Sequence, residues 1–246
     1  MLNHSEIESF LENGYVIREG ALSQADIETY RAAVERVLYK CRVEKVHPHL
    51  RYVDGEKDDI WGVNHIFHPN IRAGALVESL GHPQILGVIE ALIGARLRYH
   101  LCTLLVSSER KPYHINWHRD SARDGEIELE QLMARLRSHV QLNGALYDDE
   151  TLYIVPGSHR RVITDAEREI LRNSPKAGMF QKLLDTFWEW KDGRLEGWVA
   201  VAHRAGFLLS FFHSSMQSVN TFFQKFETCS FLPLLSLLSF PSGFIG

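Results

Sequence analysis

The run Trp117-His118-Arg119-Asp120 lies in a stretch that reads as extended, and it constrains this chain more than any other four residues. On a strand, residues i and i+2 share a face. His118 and Asp120 are therefore expected side by side, with Arg119 turned away. An imidazole and a carboxylate so placed supply two of the three protein ligands of a non-haem Fe(II) site, the facial triad of two histidines and one carboxylate. A bare His-x-Asp also arises by chance on surfaces and in loops, where polar residues mostly stay solvated. The segments that follow it decide between the two.

Ser138 to Leu146 carries Val140, Leu142 and Leu146 on one parity, which suits a half-buried strand. The acidic cluster Tyr147-Asp148-Asp149-Glu150 reads as a turn, and Thr151 to Val155 as another strand, stopped by Pro156-Gly157. With His-x-Asp ahead of it, this pattern resembles the phytanoyl-CoA dioxygenase family of Fe(II)- and 2-oxoglutarate-dependent oxygenases. The resemblance runs from Phe10-Leu11-Glu12-Asn13-Gly14-Tyr15-Val16 to about Met216. It is sharpest at Trp117-His118-Arg119-Asp120 and at Leu152-Tyr153-Ile154-Val155-Pro156-Gly157-Ser158-His159-Arg160.

Helices first and short strands later give an α+β class. The resemblance implies a double-stranded β-helix, a jelly-roll, cupin-like barrel, with N-terminal and inserted helices. Ser5 to Asn13 reads as a helix with Ser5 as its cap and Gly14 as its stop, and Tyr15 to Ile17 as a brief strand. Ser23 caps a longer helix to about Lys40, with Ile27, Tyr30, Ala33, Val34 and Val37 at helical spacing. Residues 41 to 70 show no clear period, and a lid over the site is one reading of such a connection. Residues 71 to 93 read as two helices parted by Gly81-His82-Pro83, and Leu97 to Ser107 as a strand. Glu126 to Arg137 is a charged amphipathic helix, and Ala166 to Asn173 and Lys176 to Trp190 are further helical or irregular pieces.

A length of 246 residues suits one domain. The division expected is residues 1–220 for the oxygenase-like domain and 221–246 for an atypical apolar tail. The net charge of -4 leaves no basic footprint for nucleic acid. Cys41, Cys102 and Cys229 are too scattered for a disulfide framework or a zinc spacing, so a reducing, cytoplasmic setting is expected. Of 13 histidines, His47, His49, His65, His68 and His82 fall in or near loop-like segments. A lone histidine there is usually solvated or bonded locally. His159 is expected to shape its turn or touch a substrate.

The resemblance assigns His118 and Asp120 as the first two iron ligands. It places Lys111, of Arg110-Lys111-Pro112, near the cosubstrate, and Gln141 on the strand lining the cosubstrate pocket. Lys111 reads equally as a solvated loop charge, and Gln141 equally as a strand residue bonded within the protein. The implied cofactors are Fe(II) and 2-oxoglutarate, which is oxidised to succinate and carbon dioxide as a small or lipid-like substrate is hydroxylated with dioxygen.

The chain departs from the family at the third ligand. Ala205-Gly206-Phe207-Leu208-Leu209-Ser210-Phe211-Phe212 matches the family's next strand, with Phe207 where an acidic residue is usual. The following histidine slot falls near Ser218, yet no histidine occurs after His213 and no arginine after Arg204. His213 is the one nearby substitute as a ligand. Cys229 to Gly246 carry no charge, but Pro233, Pro241, the serines and the lack of a basic flank argue against a membrane span. The run also lacks a strand's alternation. The expectation is a chain that leaves the family near Ser210 to Asn220, through a frame change, an alternative exon or a truncated gene model. Its tail is then irregular and its last strands incomplete. Two functions compete: an Fe(II)/2-oxoglutarate dioxygenase, and an inactive relative that binds a ligand or partner without turnover. The pattern leaves the oligomeric state open.

Overall fold

The computed structural model describes residues 2–53, 58–110, 114–118, 139–173, 199–203, 209–212, 217–220 and 231–239. Capping decides where the N-terminal helices begin. In α1 (His4–Asn13) the cap is Asn3, two residues earlier than expected, because its side chain accepts from the Glu6 N–H while Glu6 reaches back to the Asn3 N–H. Ser5 donates its hydroxyl to Asn3 instead. Gly14 ends the helix at φ 83°, a left-handed conformation that suits glycine, and β1 (Tyr15–Arg18) follows.

Ser23 and Asp26 form the same reciprocal box at the start of α2 (Gln24–Arg42). Its buried stripe is Ile27, Tyr30, Ala33, Val34, Val37, Leu38 and Cys41. The expected unpatterned connection contains two short strands, β2 (Leu50–Tyr52) and β3 (Ile60–Asn64). Gly62 obscured them. Its strand partner Arg51 lies over the space where a Cβ would stand, 3.1 Å from the nearest side-chain atom, so the usual alternation is broken. After α3 (Gly74–Glu78) and one turn of 3-10 helix, Pro83 opens α4 (Pro83–Ile93) at a position where its missing N–H costs nothing.

The remaining strands are β4 (Leu97–Leu105), β5 (His114–His118), β6 (His139–Ala145), β7 (Asp149–Ile154), β8 (Val199–His203), β9 (Leu209–Phe212), β10 (Gln217–Asn220) and β11 (Phe231–Ser239), with α5 (Asp165–Asn173) between β7 and β8. β7 begins inside the acidic cluster expected to form a turn, with Asp149 opposite His203. The helices expected over 126–137 and 176–190 lie outside the described residues. All strand pairs are antiparallel. One sheet runs β1-β9-β6-β11-β4-β3-β2 and the other β5-β10-β7-β8.

The tail overturns one expectation. Its residues 231–239 form a strand at the centre of the larger sheet, paired with β4 on one side and β6 on the other. Its place is set by pairing with two strands distant in sequence rather than by a local period, so the missing alternation was no evidence against it. Pro233 fits because the ladder to β6 shifts register between Leu232 and Leu235, where no proline N–H is needed.

The main core lies between the helices and one face of the larger sheet. Leu38, Leu76, Ile89 and Leu92 from the helices meet Val16, Val63, Cys102, Leu104, Val140 and Leu142 from the strands. Arg31 of α2 anchors this layer to the end of β6, donating to the Leu146 carbonyl at 2.8 and 2.6 Å and lying 4.4 Å from the Tyr147 ring centre. Among the described residues no single helix is long and apolar enough to cross a membrane.

Candidate functional site

The other face of the larger sheet carries the candidate site. Directly paired residues in an antiparallel sheet share a face. Tyr15, Phe212, Gln141, Ser236 and Leu101 are successive partners across five strands, and Ile17, Ser210 and Asn143 make a parallel row. Tyr15 and Ile17 pack against Leu152 and Ile154 of β7, so this face meets the smaller sheet. The smaller sheet has a matching row: Val199, Ile154, Gln217 and His118 are successive partners on β8, β7, β10 and β5. His118 therefore holds a register position on the inner surface of one sheet, and Gln141 on the inner surface of the other.

The chemistry is concentrated on β6. Gln141 is 2% exposed, yet neither its amide oxygen nor its amide nitrogen has a hydrogen-bond partner among the described residues. Asn143, two residues on, is buried as well, and its side-chain oxygen has none. Each buried polar group left unpaired costs about 1–3 kcal/mol. An apolar residue would avoid that cost at either position, as Val140 and Leu142 do on the opposite face. The side-chain amides can turn N–H donors toward an oxygen-rich ligand between the sheets, and donors are what an acceptor-only dicarboxylate cosubstrate requires. Asn143 escaped the sequence reading. Its signal was present, a second amide at i+2 from Gln141 on a strand of otherwise small and apolar residues.

Two neighbouring features are held firmly. Asp59 is buried and accepts the backbone N–H groups of Glu109 at 2.7 Å and Arg110 at 2.9 Å, fixing the chain that leads to Lys111. Beyond β7, Gly157 adopts φ 72° and donates its N–H to the Asn13 carbonyl at 2.8 Å. The strand ends at Ile154 and turns at Gly157, as expected, and continues into a turn of 3-10 helix over Ser158–Arg160. His159 shapes that turn: it is buried, with Nε2 bonded to the Leu11 carbonyl at 3.0 Å.

Of the residues named from the sequence, the structure places His118 and Gln141 on the two inner surfaces. Lys111, Asp120 and His213 lie outside the described residues, as does Phe207. The register adds one residue: Gln217 stands opposite His118, while Ser218, where the family's histidine was counted, pairs with Tyr153. The buried cysteines are poor candidates for ligands or nucleophiles. Burial pushes the Cys41 thiol up to about 11 and raises that of Cys102 well above its ordinary value, so both stay protonated.

Comparison with solved structures supports the architecture. EctD from S. alaskensis, with 2-oxoglutarate and 5-hydroxyectoine, matches at a TM-score of 0.68 and 16% identity over 97% of this chain and 76% of that one. AviO1 from Streptomyces viridochromogenes Tue57 matches at 0.66 and 15%, over 97% and 96%. The non-heme alpha ketoglutarate dependent carbocyclase SnoK from nogalamycin biosynthesis matches at 0.64 and 21%, over 96% and 84%. At these identities the likeness is one of fold. No curated protein matches the chain. The family model for phytanoyl-CoA dioxygenase (PhyH) matches residues 10–216, most of the chain's length and including His118 and Gln141, and the chain belongs to that family.

Proposed function

We propose that the two sheets form the double-stranded β-helix, or jelly roll, of the Fe(II)- and 2-oxoglutarate-dependent oxygenases, and that the protein is a dioxygenase-like member acting on a small or lipid-like organic substrate. The observation that carries this reading is the unpartnered Gln141 amide on a buried surface facing the His118 row. His118 and Asp120 would hold the iron, with His213 as the remaining imidazole of the sequence. Gln141, Asn143 and Lys111 would meet 2-oxoglutarate. When bound, iron and cosubstrate supply the oxidation, using dioxygen. The chain's own part is to fix the metal, orient the cosubstrate by hydrogen bonds from β6 and keep water out with Leu152, Ile154, Tyr15 and Ile17. The related solved proteins include a carbocyclase and an epimerase, SnoN, in complex with Fe3+ and alpha ketoglutarate. Such a range leaves the substrate to be set by side chains rather than by the fold.

A specific observation favours a second reading, a member that binds its ligand without turnover. No histidine follows His213, no arginine follows Arg204, and the position opposite His118 is Gln217. Loss of one of three ligands costs more than the roughly 10- to 100-fold typical of changes around a metal's ligands. Loss of the arginine removes a bidentate clamp on a carboxylate, and Lys225 could stand in only as a flexible point charge. An anaerobic Fe(II) titration followed by a succinate assay separates the readings. The expected result is weak iron binding and little succinate, with Gln217→His raising iron affinity by more than about 100-fold. Tight stoichiometric iron with robust turnover would instead assign His213 as the third ligand, and His213→Ala would then abolish both.

A further inference from the structure

Four of the histidines set aside as loop residues come together. His47 and His49 lead into β2, and His65 and His68 leave β3. Their ring centres are 5.4 Å apart for His47–His49 and for His47–His68, 5.0 Å for His49–His65 and 6.5 Å for His49–His68. The backbone builds this convergence. The Asn64 N–H donates to the His49 carbonyl at 2.9 Å, and His65 takes the left-handed φ of 53°, so the chain doubles back and brings His68 to the same place. A non-glycine residue in that conformation is uncommon and is held there by its surroundings.

His47 is the informative member. It is 4% exposed, with Nε2 bonded to the Asn64 carbonyl at 2.7 Å, so Nε2 carries the proton and Nδ1 presents a bare lone pair. That Nδ1 is buried and has no partner among the described residues. A histidine whose far nitrogen donates to a backbone carbonyl while its near nitrogen stays free is the arrangement metal-ligating histidines adopt. Imidazoles sharing one tetrahedral ion at about 2.0–2.1 Å per nitrogen have ring centres about 5 Å apart. His49 and His65 are exposed and His68 is half-buried, so an ion can enter from solvent.

We propose that His47 and His49, whose ring contacts every other member of the cluster, bind with at least one of His65 and His68 a divalent first-row transition ion of nitrogen preference, such as zinc, cobalt or nickel. As the rings stand, no three donor atoms among the described residues are arranged around one point. Closure therefore requires the solvent-facing rings to turn about their side-chain torsions while His47 stays fixed. The site is separate from the oxygenase site, because β2 is four strands from β6 in the sheet order, about 19 Å at the usual strand spacing. Its effect would be to clip the β2 edge to the turn after β3. Desolvation lowers the His47 pKa, opposed by its bond to Asn64 and reinforced by His49, His68 and His65, so the ring is neutral and able to ligate at neutral pH.

The test uses untagged protein carrying Asp120→Ala, which disables the oxygenase metal site, titrated with Co(II) and followed by calorimetry and by the visible bands of tetrahedral cobalt. The expected result is one Co(II) per chain, with affinity falling more than about 100-fold on adding either His47→Ala or His49→Ala. His49 is exposed, so that variant keeps its fold, checked by circular dichroism, and wild-type protein must lose the same second site with it. Absence of stoichiometric cobalt in the Asp120→Ala protein overturns the proposal, as does binding that survives both histidine substitutions.

Discussion

Two regions of this molecule bury polar side chains and treat them in opposite ways. At the start of α5, Glu167 is 5% exposed and both of its carboxylate oxygens are hydrogen-bonded. Arg161 grips both of its carboxylate oxygens, the Thr164 N–H donates to it at 2.8 Å, and the Thr164 hydroxyl accepts from the Glu167 N–H at 3.2 Å. On the inner face of β6, Gln141 is buried as deeply and neither of its amide atoms has a partner among the described residues. The first region is a closed network that clamps the chain leaving β7 onto a new helix. The second is an open one, and its polar atoms are available to something that arrives. Burial alone does not distinguish structural from functional polar groups; partnership does.

The contrast predicts opposite responses to removing the polar group. Glu167→Ala takes the carboxylate from the Arg161 guanidinium, leaves the Thr164 N–H unmatched and removes the reciprocal half of the capping box, and should lower stability by about 1–2 kcal/mol in urea titration. A loss below about 0.5 kcal/mol would show that the network is not closed in solution. Gln141→Leu should leave stability unchanged or raise it by about 1 kcal/mol, because an unpaired amide is exchanged for an apolar group of similar size. The same substitution should weaken 2-oxoglutarate binding, measured anaerobically with iron present, by about 10-fold, the worth of one or two hydrogen bonds to a charged group. If Gln141→Leu destabilises the fold and leaves cosubstrate affinity alone, the amide belongs to the structure and the comparison fails.

How much of this was legible in sequence follows from the range of the interactions. The α2 stripe and its Ser23 cap, the Gly14 stop and the Gly157 turn are local, and all were readable from spacing and residue type. The short β2 and β3 were not, because Gly62 interrupts the pattern of β3 and they are held by pairing, β2 on β3 and β3 on β4, rather than by propensity. The β11 strand was misjudged for a related reason: its place between β4 and β6 is a long-range fact. Gln141 was named through a family resemblance. Asn143 carried a local signal that went unread, whereas Gln217 opposite His118 and the histidine cluster became visible only when register and turns brought distant segments together.

The smallest effect concerns pH and separates the two regions without altering the site. Burial alone would raise the Glu167 carboxyl, but the hydrogen bonds from Arg161 and the Thr164 backbone outweigh it and hold the group below the ordinary value of 4.5. A carboxylate depressed in the folded state contributes stability that is present above its unfolded value and is lost as pH falls through the folded one. The stability difference between wild type and Glu167→Gln should therefore be full near pH 6 and shrink in acid below the ordinary value of 4.5, as Glu167 takes up its proton. Gln141 does not titrate, so the difference between wild type and Gln141→Leu should be flat over the same range. Paired urea titrations at the two ends of that range test both statements. A flat Glu167 difference would mean that Arg161 and Thr164 do not favour the charged carboxylate. A sloping Gln141 difference would mean that a titrating group is coupled to the inner face of β6.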